Sequence, residues 1–170
     1  MAPEDLWGRD LSVPVRQAQH VAYSIEMLGA LRSKTTHHES TIANACVESF
    51  LVHARLLIDF LQVRSEADRR DFSAGDFGAL RPPDDDDRVA RLRTVWQLAS
   101  QQVVHLSRGR TPDDPYAVTA DDAERTYEAI VQDLLDLLEI FVADVESRGR
   151  VEAPLFRGAL SMARMHLNVG

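Results

Sequence analysis

The chain has one cysteine, one lysine, few aromatic residues (6%) and no stretch that alternates like a strand. A solitary Cys46 excludes an internal disulfide framework and a cysteine-built zinc site, and it fits a reducing compartment. Of the 19 basic residues all but Lys34 are arginine, a skew that reads as a GC-rich coding bias rather than as a guanidinium-specific surface. The 27 acidic residues outweigh them, leaving a formal charge of -8. That balance argues against a general polyanion binder, because phosphate-backbone affinity rests on clustered Lys and Arg. No apolar run reaches the roughly 20 residues of a membrane span, so no membrane contact is expected. The start of the sequence, with Glu4, Asp5 and Asp10, lacks the basic and apolar regions of a signal peptide. These absences together lead to the expectation of a soluble, cytoplasmic protein.

What is present is helical periodicity. With 170 residues and 45% hydrophobic content, residues 1–170 suit a single helical domain with a sizeable core. From Pro14 to about Ser33, Val15, Ala18, Val21, Ala22, Ile25, Leu28 and Gly29 recur at three and four, and Pro14 can open the first turn. A second helix is expected from about Glu39 to Gln62, with Ile42, Cys46, Phe50, His53, Leu57 and Leu61 on its stripe. Val47, Leu51, Val52, Leu56 and Ile58 make it apolar almost all round, which predicts a central element covered on several sides.

Residues 63–86 contain Gly75, Gly78, Pro82 and Pro83 and end in Asp84 to Asp87, so they read as a long connection. Phe72, Phe77 and Leu80 are expected to anchor it on the bundle, and the aspartates to favour the start of the next helix through its dipole. That third helix runs from about Asp87 to Ser107 on a stripe that includes Leu92, Val95, Trp96 and Ala99. Thr119 to Asp122 resembles an N-cap for a fourth helix reaching about Arg148, with Tyr127, Ile130, Leu134, Leu138, Phe141 and Val145 on one face. Its opposite face carries Glu128, Asp136 and Glu139 and reads as solvated.

Four helices of about 20 to 29 residues, the longest spanning roughly 43 Å, predict an all-α fold. The economical arrangement is an antiparallel four-helix bundle with its core in 14–148, plus a shorter C-terminal fifth helix over about 154–167.

Charge is distributed unevenly along these elements. Residues 119–148 hold nine acidic side chains against two basic ones, whereas residues 88–118 hold five arginines against two aspartates. The molecule is therefore dipolar, and the basic segment leaves room for one local phosphate contact.

Chemistry must come from a few polar residues in apolar company. No metal is expected: the six histidines make no His-x-x-x-His pair, and none follows a Glu by three. No Gly-rich phosphate loop or other cofactor motif is present, so no cofactor is expected either. Cys46 falls on an apolar stripe as a packing residue.

The segment Glu48 to Leu61 is the most unusual. At 100° per residue, Glu48, Arg55 and Asp59 fall within about 40° of one another, so Arg55 can pair with Asp59 at i+4. His53 points about 160° away from Arg55, so these four cannot make one compact site alone. One reading is a core histidine bonded across the bundle beside an ion network. The other is a site completed by Gln102, His105 and Arg108 of the third helix, with His105 at the edge of the core face as an acid or base.

The helical layout, the Glu48, His53, Arg55 and Asp59 pattern and the later His105 resemble small bacterial helical proteins related to the HEPN superfamily over about residues 14–148. That resemblance implies one of two activities. HEPN members include metal-independent ribonuclease toxins and noncatalytic RNA-associated or dimerising domains. The catalytic HEPN pattern is an Arg followed, after four to six residues, by His on a late helix. Here Arg93 precedes His105 by twelve positions and Arg108 follows it, while the literal matches, Arg32 to His37 and to His38, close the first helix.

About two such matches arise by chance in a chain of this composition. The expectation is thus an interaction or regulatory module, homo-oligomeric and most simply homodimeric, with a protein partner. The alternatives are a ribonuclease acting on RNA through His105, Arg108 and Arg55, and a helical bundle holding a small ligand near His53 and Trp96.

Overall fold

The computed structural model describes residues 13–35, 39–63, 72–100 and 120–168. Among them are five helices and no strand: α1 (Val13–Arg32), α2 (Ser40–Phe60), α3 (Asp87–Ala99), α4 (Ala120–Ser147) and α5 (Ala153–Asn168). A 3-10 turn (Ala74–Phe77) interrupts the connection between α2 and α3. The protein is all-α. Beyond Ser100, the residues expected to extend the third helix to Ser107 lie outside the described ones.

The helix ends follow local chemistry. Asp86 caps α3 by accepting the Arg88 backbone N–H at 2.9 Å. The end of α2 turns through Gln62, whose φ of 55° puts a non-glycine residue in the left-handed region. Gln62 N–H bonds the Asp59 carbonyl at 3.0 Å and Val63 N–H the Ile58 carbonyl at 3.2 Å, the two bonds of a Schellman motif. Arginines then take the next two carbonyls: Arg81 Nε donates to Gln62 O and Arg93 Nε to Val63 O, each at 2.9 Å. Asp84 binds both guanidinium groups, so one member of the acidic run ties the connection to the end of α2.

The core runs through all five helices. α1 packs closely on both α5 and α2, and α5 also lies against α4. Phe156, Ala159, Leu160 and Ala163 of α5 are buried, so the C-terminal helix shares the core of this chain. At one end Phe60 of α2, Phe141 of α4 and Phe156 of α5 meet Phe72 and Phe77 of the connection. Phe77 sits in the middle, its ring centroid 4.9 Å from that of Phe72 and 4.9 Å from that of Phe156. Five of the six phenylalanines are thus in one cluster. Leu80 is not the third anchor that the sequence predicts: it is 78% exposed. Its backbone N–H is fixed to Asp144 Oδ2 at 2.8 Å, which carries the chain past the cluster and leaves the side chain outside.

The acidic face of α4 is not simply solvated. Glu128 accepts from Arg32 of α1 at 2.8 Å, and Asp133 takes both Arg91 Nε and Nη2 of α3 at 2.8 and 2.7 Å. Arg157 of α5 bridges Glu139 and Glu146, and its guanidinium holds the Glu146 carboxyl below the usual carboxylate range. Half-exposed pairs of this kind contribute little energy each. Their placement nevertheless matches one acidic helix to arginines from three others.

Candidate functional site

The two polar clusters of α2 lie on different sides of that helix. On one side Arg55 extends over Trp96 of α3, with its guanidinium carbon 5.0 Å from the ring centroid. Its Nε is 3.8 Å from Asp59 Oδ2, one turn along α2. The cation is held between a π face and a carboxylate, which orients it while leaving it partly in water.

On the other side His53 crosses to α1. Its Nδ1 is hydrogen-bonded to Ser24 Oγ at 3.3 Å, and its ring meets Tyr23 edge-on with centroids 5.6 Å apart. Burial pushes the imidazole below the ordinary histidine range, because the charged form loses water without gaining a carboxylate. The ring is therefore neutral at pH 7 and can exchange a hydrogen bond with the Ser24 hydroxyl in either direction.

Next to this pair a groove of about 210 Å³ opens between α1 and α2. Gln17, His20 and Ser24 give it a polar edge, and Leu56, Phe60 and Phe72 an apolar wall. What the arrangement offers is a small apolar recess with a neutral imidazole and hydroxyl beside it.

The structure thus brings Arg55 together with Asp59 and Trp96, and separates them from His53. Glu48 lies on the exposed first half of α2. Gln102, His105 and Arg108 lie outside the described residues. Ser24 and His20 were absent from the sequence candidates for this site, since a serine and a histidine along one helix carry no signal until α2 is laid beside it. Trp96 packs partly against the core, as its place on the stripe of α3 predicts, and Arg55 stands over its ring. Among the described residues no three His, Cys, Asp or Glu side chains gather as metal ligands. Cys46 packs partly against the core.

The burial of α2 differs from expectation. Its second half is central: Phe50, Leu51, Ala54, Leu57, Ile58 and Phe60 are buried. In its first half, no residue from Thr41 to Ser49 is buried. Over Thr41–Phe60 the mean hydropathy of 1.3 makes α2 long and apolar enough to cross a membrane by length and composition, contrary to the sequence expectation, yet only 28% of it is buried within this chain. Ile42, Val52 and Leu56 are exposed, and Tyr23 of α1 continues the patch beside His53.

No family model matches this chain, and neither the curated proteins nor the solved structures contain a match.

Proposed function

We propose that the chain is a HEPN-like helical interaction module, an antiparallel bundle of four long helices with a shorter fifth, that works as a homodimer joined across the face of α1 and α2. The observation that supports this reading is the uncovered apolar surface of α2, where Val52 and Leu56 are 39% and 52% exposed and Tyr23 of α1 is 51% exposed. Val52 and Leu56 are one turn apart and so share a side of the helix.

A second copy of this chain fits that surface. A two-fold interface sets the same patch against itself, and apolar side chains are self-complementary where a strongly charged patch would repel its copy. Between Thr41 and Phe60 the charged residues are Glu48, Arg55 and Asp59, of which the last two already face each other. An RNA phosphate backbone, by contrast, requires clustered Lys and Arg, and the patch has none.

The ribonuclease reading, with His105 as acid or base and Arg108 or Arg55 on the phosphate, is weaker on the described residues because Arg55 is engaged by Trp96 and Asp59 on the side away from His53. The small-ligand reading near His53 rests on the groove beside Ser24, which is compact and has few polar groups.

The test is light scattering at micromolar concentration. A dimeric mass for the wild type and a monomeric mass for Leu56→Glu, with unchanged helical circular dichroism, support the proposal; a monomeric wild type refutes it. Metal-free RNA cleavage that disappears in His105→Ala would replace it with the nuclease reading.

A further inference from the structure

A second cavity, with a different set of lining residues, lies between the connection and α4. It measures about 460 Å³, within the range of small-molecule sites. Leu61, which caps the end of α2, and Leu137, Ile140 and Phe141 of α4 line it together with Pro82 and Pro83. Roughly three times the volume of a cavity that holds benzene, it has room for a medium-sized apolar body.

Two apolar side chains at this cavity stand in water, Leu80 at 78% and Ile140 at 56% exposure. The backbone does not need them there for packing, since the connection is already secured by Phe72 and Phe77 and by the hydrogen bond from Leu80 N–H to Asp144. A bound apolar group would cover both.

The polar groups at the cavity decide what else the occupant carries. Asp144 has both oxygens engaged, Oδ2 by Leu80 N–H at 2.8 Å and Oδ1 by Arg148 Nη2 at 3.2 Å. Arg81 donates through Nε to Gln62 O and through Nη2 to Asp84, while its Nη1 makes no hydrogen bond among the described residues. The capacity left over is therefore that of a cationic donor. It calls for an acceptor on the ligand, and a guanidinium binds a carboxylate more strongly than a neutral oxygen.

We propose that this cavity binds an amphipathic monocarboxylate, its carboxylate on Arg81 Nη1 and its chain or ring between the Pro82-Pro83 segment and Ile140. Pro82 and Pro83 give the cavity a preset wall, because proline has few backbone states to lose on binding. This site is independent of the dimer face, since its residues belong to the connection, to α4 and to the end of α2.

The experiment titrates the full chain with octanoate and, separately, with octanamide, following leucine and isoleucine methyl resonances. Support requires saturable shifts at Leu80, Leu137 and Ile140, with octanoate bound at least about fivefold more tightly than octanamide. Ile140→Asp leaves the Arg81 and Asp144 hydrogen bonds in place and is expected to weaken octanoate by about tenfold or more, with unchanged circular dichroism. Arg81→Gln should bring the two affinities level. No saturable shift at millimolar octanoate, shifts confined to the α1–α2 groove, equal binding of acid and amide by the wild type, or full affinity in Ile140→Asp each overturns the proposal.

Discussion

Gly29 of α1 and Ala163 of α5 approach so closely that a Cβ built on Gly29 would stand 2.5 Å from the Ala163 carbonyl oxygen and 2.7 Å from its Cα. The atoms in the way are backbone, so no rotamer change can relieve the overlap. Gly29→Ala should therefore destabilise the protein by about 1–3 kcal/mol through helix displacement, against a helix-propensity gain of only about 1 kcal/mol. Urea unfolding measures the difference. Equal or greater stability of the variant would mean that α1 and α5 do not meet at this point.

Phe77 predicts the strength of the connection's attachment. Its side chain is 1% exposed and touches rings from α2, α4 and α5 as well as Phe72. Phe77→Ala is expected to cost about 3–5 kcal/mol, because the surrounding rings cannot close the void. Leu80→Ala, at a 78% exposed position, should stay within about 0.5 kcal/mol of wild type. Chemical denaturation of both variants separates the anchor from its exposed neighbour. Similar losses in the two would contradict the packing described here.

At the end of α2, Gln62 adopts a φ of 55° at the position that Gly149, with φ 63°, occupies after α4. Both helices close with the same pair of Schellman bonds, Gly149 N–H to Glu146 O and Arg150 N–H to Val145 O in the second case. A side chain in the left-handed region costs about 1–2 kcal/mol, whereas glycine loses some of that advantage in unfolded-state entropy. Gln62→Gly should stabilise by about 0.5–1 kcal/mol. A thermal melt shows the sign directly, and a lower midpoint would mean that the Gln62 side chain contributes more than its backbone strain costs.

What could be read from the sequence was what a single helix decides. The three-and-four spacing of Ala18, Val21, Ala22, Ile25 and Leu28 identified the buried side of α1, and that of Ile130, Leu134, Leu138 and Phe141 the buried side of α4. Helical geometry alone also separates His53 from Arg55 by about 160°. Ile42 belonged to the apolar stripe of α2 and is nevertheless 39% exposed, because periodicity says which residues share a side and not whether a neighbour reaches that turn. Ser24, and the pairing of Trp96 with Arg55, escaped for a related reason. Their partners, His53 and Arg55, are 29 and 41 positions away in the chain, and the contacts exist only once three helices are assembled. The acidic face of α4 looked solvated for want of the same information, since Arg32, Arg91 and Arg157 come from three other elements.

His53 gives the protein a pH dependence of definite sign. Its folded pKa lies below the ordinary 6.5 because burial disfavours the imidazolium, while the unfolded chain keeps the ordinary value. As pH falls below 6.5 the unfolded state takes up the proton first, so stability declines from that point down through the folded pKa and is full above 6.5. Replacing the ring by an amide, His53→Gln, keeps a group able to hydrogen-bond Ser24 and removes the titration. The difference in unfolding free energy between the two proteins, measured from pH 7.5 to pH 5, should therefore shift in favour of His53→Gln as the solution becomes more acidic. A parallel decline of both proteins over that interval would show that His53 titrates alike in the folded and unfolded chain, and that the imidazole stands in water rather than against Ser24 and Tyr23.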